Sequence, residues 1–476
     1  DSICGCSVTQ THLDNEYRFR QCEQIADMLV EEALEVLADN ISLDLGGKDG
    51  GFVIYNPSQS GYEGIGEVLI ETAGETGLDF SIFDADGNMV PYQLLDYSIF
   101  FKPIAEFNKL IDSKIPQMLR VALPLELPGY GYAAFTYSHN RNGAVNYGDY
   151  NFKEIRLPYR IGGTLRTDSN SFDNGALAVV VNANGTLSVT DKASGRTYEN
   201  LLLFEDGGDL GDGWNYVRPP VDRKYTTVCS NCSFSSQSDG ENAAVFNITH
   251  RLQLPADSAG IVREGDCREL EVETTVTLLK GARRINFATR VKNAVHCHRL
   301  RVLFPTRLDA EYYYSSTPFD MQEWPVKKPD NRRFTEPETN VTPNQGVIWL
   351  SDGTNSFALY NKGLYETEVT DDAGRTVALT LFRAYQNETG AVKRGLANMN
   401  MEMRFEYAAD FSAATPARAL IASESFKSGL LSVPASGGDS SMPARGRLFR
   451  AEGESVVSTV YAESPDCAVV RLYNPQ

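Results

Sequence analysis

The residues best suited to chemistry crowd into one stretch, EDGGDLGDGWNYVRPP at 205–220. Asp206, Asp209 and Asp212 alternate with four glycines there, and Trp214 and Tyr216 follow, all within 12 residues. Carboxylates accept hydrogen bonds from hydroxyls, and indole or phenol faces stack on C–H surfaces, so such a loop on a β scaffold suits a sugar. The same composition also fits a solvated turn or a calcium loop with no catalytic role. An EF-hand is ruled out, because the D-x-D-x-D-G spacing is not met. A second candidate is the opening Asp1-Ser2-Ile3-Cys4-Gly5-Cys6, a Gly-containing loop just ahead of a helix for which Ser7 and Gln10 have capping-box spacing.

Other constellations are weaker. Cys229-Ser-Asn-Cys232 has the spacing of a zinc knuckle or redox pair, but no second CxxC or HxxxH completes a tetrahedral site. His296-Cys297-His298 places two imidazoles on one face of a strand, with no third ligand nearby. The β regions hold no nucleophile elbow, Walker loop or HExxH. Eight cysteines scattered over 476 residues do not form a disulfide framework, and five N-x-S/T sequons bear on the protein only if it is secreted.

The elements that position these residues change character along the chain. From about 8 to 41, apolar residues recur every three or four positions (Phe19, Cys22, Ile25, Leu29, Ala33, Leu37, Ile41), which predicts one long amphipathic helix whose stripe needs a partner. No other helix is evident. After the GGKDGG break at 46–51 the chain becomes short β-branched and aromatic segments between Gly, Asn, Asp and Pro. The segment FKPIAEFNKLID reads either as a short helix or as an irregular crossover. From about 172 a larger β region opens with a hairpin at NANG and continues as many strands, suggesting a large two-sheet sandwich. After SVPASGGDSSMPARG come two last strands, ESVVSTVYAE and CAVVRLYNP.

The net charge is −19, which disfavours nucleic acid, and no apolar run reaches the roughly 18–20 residues that span a bilayer. The expected partners are therefore neither nucleic acid nor membrane. A homo-oligomer is left open.

Several of these stretches carry a resemblance. The opening DSICGC resembles the zinc-site loop of family 38 glycoside hydrolases, the retaining α-mannosidases, where a His-Asp pair precedes a Ser/Ala-Ile-x-Gly stretch and a bundle helix. GGDLGDGWNY resembles the aspartate- and glycine-rich stretch near the start of that family's large sandwich. HRLRVLFPT (298–306), STPFDMQEWP (316–325), GVIWLSDGTNSFALYNKGLYE (346–366), LTLFRA (379–384) and VVRLYNP follow in the family's order. MRFEYAADF (403–411) departs from it, since many members end that segment with a His.

The resemblance implies a mainly β fold. Residues 1–45 would be the remnant of a three-helix bundle, 46–160 a small β-sandwich, 161–435 a large galactose-mutarotase-like β-sandwich and 436–476 a terminal β segment. It further implies that the α/β domain bearing the nucleophile, the acid and most zinc ligands lies upstream, with a zinc-ligand His just before Asp1. No catalytic residue and no metal ligand would then belong to this chain, which alone would be inactive. Asp1 would bind sugar hydroxyls, while Asp212, Trp214 and Tyr216 would line the same pocket. Arg383 would reach the rest of the glycan or form a structural ion pair.

On this reading the cofactor is zinc, the partners are a mannose-containing oligosaccharide and the missing N-terminal catalytic domain, and the location is the bacterial cytoplasm. Two other readings stay open: a non-catalytic carbohydrate-binding β protein, and a mutarotase-like enzyme using His296 or His298 with Glu271 or Glu273. An intact binding module predicts a helix covered by its own β domain; a truncated hydrolase predicts an uncovered stripe.

Overall fold

The computed structural model describes residues 9–72, 80–96, 100–101, 117–139, 163–257, 262–263, 265–330, 333, 340–388 and 392–475. Asp1, with the rest of the DSICGC loop and Ser7, lies outside the described residues, as does FKPIAEFNKLID beyond Phe101.

Helix α1 spans Thr9–Asp39 with no Gly or Pro to interrupt it, a length of about 46 Å at 1.5 Å per residue. Its last turns carry Leu34, Leu37 and Ala38 onto Val53, Tyr55, Tyr132 and Val433, and the Tyr55 hydroxyl donates to the Leu34 carbonyl at 3.0 Å. At the other end the Thr9 hydroxyl accepts from the Met399 amide at 3.4 Å. Between these contacts the stripe is uncovered among the described residues: Tyr17, Phe19, Ile25 and Leu29 are all exposed.

A second helix, α2 (Pro416–Ser428), corrects the expectation of a single one. Thr415 caps it by accepting from the Arg418 amide, Pro416 opens the first turn, and Gly429 at φ 64° follows its end. Those signals are plain in the sequence. The apolar face, however, rests largely on alanine, so its periodicity is faint; Ala419, Leu420 and Ile421 pack with Trp349 and Tyr360.

The small β unit is two antiparallel sheets. One runs in the order Leu431–Ala435, Gly50–Asn56, Gly131–His139, Phe80–Phe83, Met89–Val90, with Arg445–Arg447 also on Gly131–His139. The other is built on the 11-residue pair Tyr62–Thr72 and Gln117–Leu127. Phe52, Ile54, Phe80, Val121, Leu123 and Phe135 fill the space between them. Two of these strands come from beyond residue 430, so the chain returns to this sheet after completing the large one.

The large unit joins a five-stranded meander, a seven-stranded sheet and a nine-stranded sheet around one core that includes Phe204, Phe246, Phe287, Phe304, Phe357 and Tyr407. The meander holds the expected hairpin, Leu177–Val181 with Leu187–Asp191. Gly185 in its turn has φ 78°, and a Cβ there would lie 2.3 Å from His250 Nε2, so only glycine fits. The atypical MRFEYAADF segment is a central strand, Glu402–Asp410, between Arg284–Lys292 and Ser356–Asn361. Val456–Ser464 and Cys467–Tyr473 pair only with each other, as a largely exposed ribbon. No described helix is long and apolar enough to cross a membrane.

Candidate functional site

Strand Leu203–Gly208 pairs with Tyr225–Thr226 on one side and His298–Pro305 on the other. Where it leaves the sheet, the acidic loop begins. Asp206, the last inward acid of the strand, is buried, and its Oδ2 lies 2.6 Å from His298 Nδ1. Its Oδ1 pairs with Arg263, whose guanidinium is also buried and donates to the carbonyls of Asp206 (3.2 Å) and Arg223 (3.3 Å). One cation thus ties the residue before the loop to the residue after it. The Asp222 carboxylate adds a second tie by accepting from the Gly208 amide at 3.0 Å.

The tip is held separately. Asp209 has no exposed side-chain surface, and Arg383 donates to both of its oxygens, at 2.7 and 3.3 Å. The amides of Gly211 (2.9 Å) and Val217 (3.4 Å) bond the same carboxylate. Burial pushes the Asp209 carboxyl above its ordinary range, against the lowering by Arg383 and these amides. Arg383 also donates to the carbonyls of Asp212 (3.0 Å) and Asn215 (2.8 Å), the two ends of the turn. Within that turn the Asp212 carboxylate accepts from the amides of Trp214 and Asn215, each at 2.9 Å. Gly211 is required by close approach: a Cβ would stand 1.7 Å from the Asn215 carbonyl oxygen.

Fixing the turn in this way presents two aromatic rings. Trp214 is 57% exposed. Tyr216 is half-buried, with the Arg299 guanidinium 3.6 Å from its ring centroid, and Arg299 in turn donates to Glu366 at 3.1 Å. Burial raises the Tyr216 phenol above its ordinary range. The structure therefore brings Asp212, Trp214, Tyr216 and Arg383 together. Arg383 has its guanidinium on Asp209 and the turn carbonyls, which is the ion pair weighed above.

Sequence reasoning missed what lies underneath. The Asn293 side chain donates to the carbonyls of Val295 (3.1 Å), Asn398 (2.9 Å) and Met399 (3.2 Å), and its Oδ1 stands 3.0 Å from His298 Nε2. The Asp209 amide donates to the Cys297 carbonyl at 2.8 Å. The start of α1, through Met399, and the base of the loop, through Asp206, therefore hang on one buried Asn293–His298 pair. The HRLR motif marked His298, but nothing local marks Asn293 or Arg263.

Two other expectations are settled by geometry. The mutarotase-like pair does not form: His298 is buried between Asp206 and Asn293, His296 pairs with Asn400, and Glu271 pairs with Arg251 and Glu273 with Arg290. Cys229 and Cys232 are free thiols, and no group of three or more metal-ligating side chains occurs among the described residues. His296 and His298 do not offer a joint metal site either, since His298 has both nitrogens engaged. These residues do not fit a zinc ion.

Residues 172–391 match the family described as "Glycosyl hydrolases family 38 C-terminal domain". The likeness covers a little under half of the chain. The match takes in the acidic loop, His298 and Arg383 together. A curated relative from Halalkalibacterium halodurans, provisionally named a mannosylglycerate hydrolase, is 23% identical over 81% of this chain and 45% of its own length. Among solved structures, an alpha-mannosidase from Enterococcus faecalis V583 superposes on all of this chain with a TM-score of 0.81 at 22% identity. A family 38 protein from Enterococcus faecalis superposes over 99% with a TM-score of 0.79, also at 22% identity. At that identity the two structures establish a shared fold. This chain spans 45% of the curated relative and 56% and 58% of the two solved chains, about half of each.

Proposed function

We propose that this chain is the β-rich part of a glycosidase that removes terminal α-mannose from glycans or small mannosides, and that its acidic loop forms one wall of the sugar pocket. The observation that carries this is the pinned loop inside the family 38 domain, which presents Trp214 and Tyr216 for stacking and turn polar groups for hydroxyls.

In this reading the chain binds and orients; it does not cleave. Retaining hydrolysis needs two carboxyl groups about 5–5.5 Å apart, one as nucleophile and one as acid. The loop carboxylates hold other partners: Asp206 has His298 and Arg263, Asp209 has Arg383, and Asp212 has its own turn amides. Both catalytic carboxyls, and the zinc expected from the family, would come from residues other than those described here. When bound, zinc would supply Lewis-acid stabilisation of sugar hydroxyls. Asp1 and a His ahead of it remain the proposed link between the two parts.

The test is an assay of this chain, with and without zinc, on an aryl α-mannoside, paired with mannoside binding followed by protein fluorescence. No turnover above background, with binding that Trp214→Ala weakens, supports the reading. Turnover by the chain alone would overturn the division of labour. Reading the gene ahead of Asp1 adds a second check: a start codon or unrelated linker there would sink the two-part proposal.

A further inference from the structure

The last two strands, Val456–Ser464 and Cys467–Tyr473, form a ribbon that pairs only with itself among the described residues. A lone two-stranded hairpin is marginal in water and gains stability when a face is covered. The register decides which residues share a face. Val457 opposes Leu472, Val460 opposes Val470 and Ala462 opposes Ala468, while a bulge at Ser458 takes up the extra residue between the first two pairs. Without that bulge Val457 and Val460 would fall on opposite sides. With it, one side carries six apolar side chains and no polar one.

The other side holds the ribbon to the molecule. Its base residues Val456 and Tyr473 pack with Trp349, Tyr360 and α2, and the Arg471 guanidinium lies 5.3 Å from the Tyr461 ring centroid. The apolar side is thus turned away from the body. Val460, Val470 and Leu472 are 45%, 41% and 59% exposed, Ala462 and Ala468 are exposed, and Val457 is half-buried.

Chemistry narrows what could cover this face. With no donor, acceptor or charge, it offers nothing to a sugar hydroxyl or a phosphate. A lipid surface is disfavoured by the net charge of −19 and by Glu463 and Asp466 at the ribbon's tip. The catalytic part proposed above would meet the acidic loop, which stands elsewhere. Tyr216 rests on Arg299, outside the seven-stranded sheet, whereas Trp349 and Tyr360 support the ribbon outside the nine-stranded sheet, with the large core between the two.

The face has instead the shape of its own complement. Its pairs taper from Val457 and Leu472 at the base, through Val460 and Val470, to Ala462 and Ala468 at the tip. A second ribbon laid face to face and tip to base, about 10 Å away, sets Ala462 on Val457 and Ala468 on Leu472 at both ends. Val460 and Val470 then each face their own copies across the two-fold axis. Large meets small at the ends, as a packed layer requires, and the contact closes as an isologous dimer. Six side chains compare with about 20–30 residues a side in a standard interface, so association is weak and depends on concentration.

We infer that the apolar face of this ribbon is a homodimer contact, in which two copies of the chain stack their ribbons tip to base.

The test is sedimentation velocity on the 476-residue chain over a wide concentration range. Monomer should give way to dimer with a dissociation constant on the order of 100 μM, in keeping with so small a contact. Val460→Lys/Val470→Lys should raise that constant at least about tenfold, because it buries unpaired charge. The taper has its own signature. Ala468→Leu enlarges the apolar patch, so a merely sticky surface would associate more tightly. Tip-to-base stacking requires the opposite, association about tenfold weaker, since the added bulk meets Leu472 of the second copy. Adding Leu472→Ala reverses the taper on that strand and should restore the wild-type constant to within about threefold. Tightening by Ala468→Leu, failure of the second change to rescue it, or a monomer at every concentration would each overturn the contact. So would a dimer that survives the ribbon variants and is dissolved by Ile25→Lys/Leu29→Lys on α1.

Discussion

The acidic loop and helix α1 were the two most conspicuous stretches of the sequence, and they fold in opposite ways. The loop's acids find buried partners, so what looks like an open carboxylate cluster is a closed structural lattice with aromatics at its rim. In α1 the apolar stripe is as regular as the sequence promised, yet among the described residues it is buried only over its last turns. Polar residues of complementary charge can satisfy one another within a single unit, whereas an apolar stripe is satisfied only by another surface. The lesson is that a dense polar motif can be structurally complete while a plain amphipathic helix is not.

Breaking the loop should have the largest effect. Arg383→Met leaves Asp209 buried without its cation and should destabilise the chain by about 3–5 kcal/mol, with the Asp212–Val217 turn becoming a protease site; urea unfolding and limited proteolysis read both. Asn293→Ala removes the side-chain donor from the Val295 and Asn398 carbonyls, while the Met399 carbonyl keeps the Met401 amide, and a loss of about 1–3 kcal/mol is expected from unsatisfied buried groups.

Acidity sharpens the contrast within the polar network itself. Burial alone would raise Glu205, but Arg301 and Lys224 outweigh it and hold the carboxyl below its ordinary range. Its contribution is therefore full above the unfolded carboxylate range and is lost as pH falls through the folded value. Asp209, raised by burial, has the opposite sign: its contribution is greatest at low pH and fades as pH rises. Urea midpoints measured between about pH 5 and 3 should fall less steeply with acid for Glu205→Gln and more steeply for Asp209→Asn. The smallest effect belongs to α1: Ile25→Lys and Leu29→Lys should change stability by less than about 0.5 kcal/mol, because both side chains are exposed among the described residues. A large drop in melting temperature for that pair would show the stripe to be covered in solution.

The sequence made legible what depends on neighbours along the chain. Alternation gave the strands, Asn-Gly gave the hairpin, and the three-to-four spacing gave α1. Thr415, Pro416 and Gly429 announced α2 as clearly, but its alanine-rich face concealed it. At the site, composition gave the loop and its rim aromatics. It could not rank the acids, because their partners come from elsewhere: His298 is 92 residues from Asp206, and Arg383 is 174 from Asp209. Asp206, Asp209 and Asp212 look interchangeable as letters and are not so in space. The Asn293–His298 support was illegible for the same reason.

The long, end-held helix also acts as a measuring rod. Thr9 is jointed to the large unit beside the loop, and Leu34 to Ala38 are jointed to the small one. The separation of those joints is therefore written in a residue count rather than in any surface the helix covers along its middle. Deleting four residues between Phe19 and Leu29 would draw them about 6 Å together. A displacement of the small sandwich would thus be carried to the Met399 turn, and through Asn293 to the floor of the acidic loop.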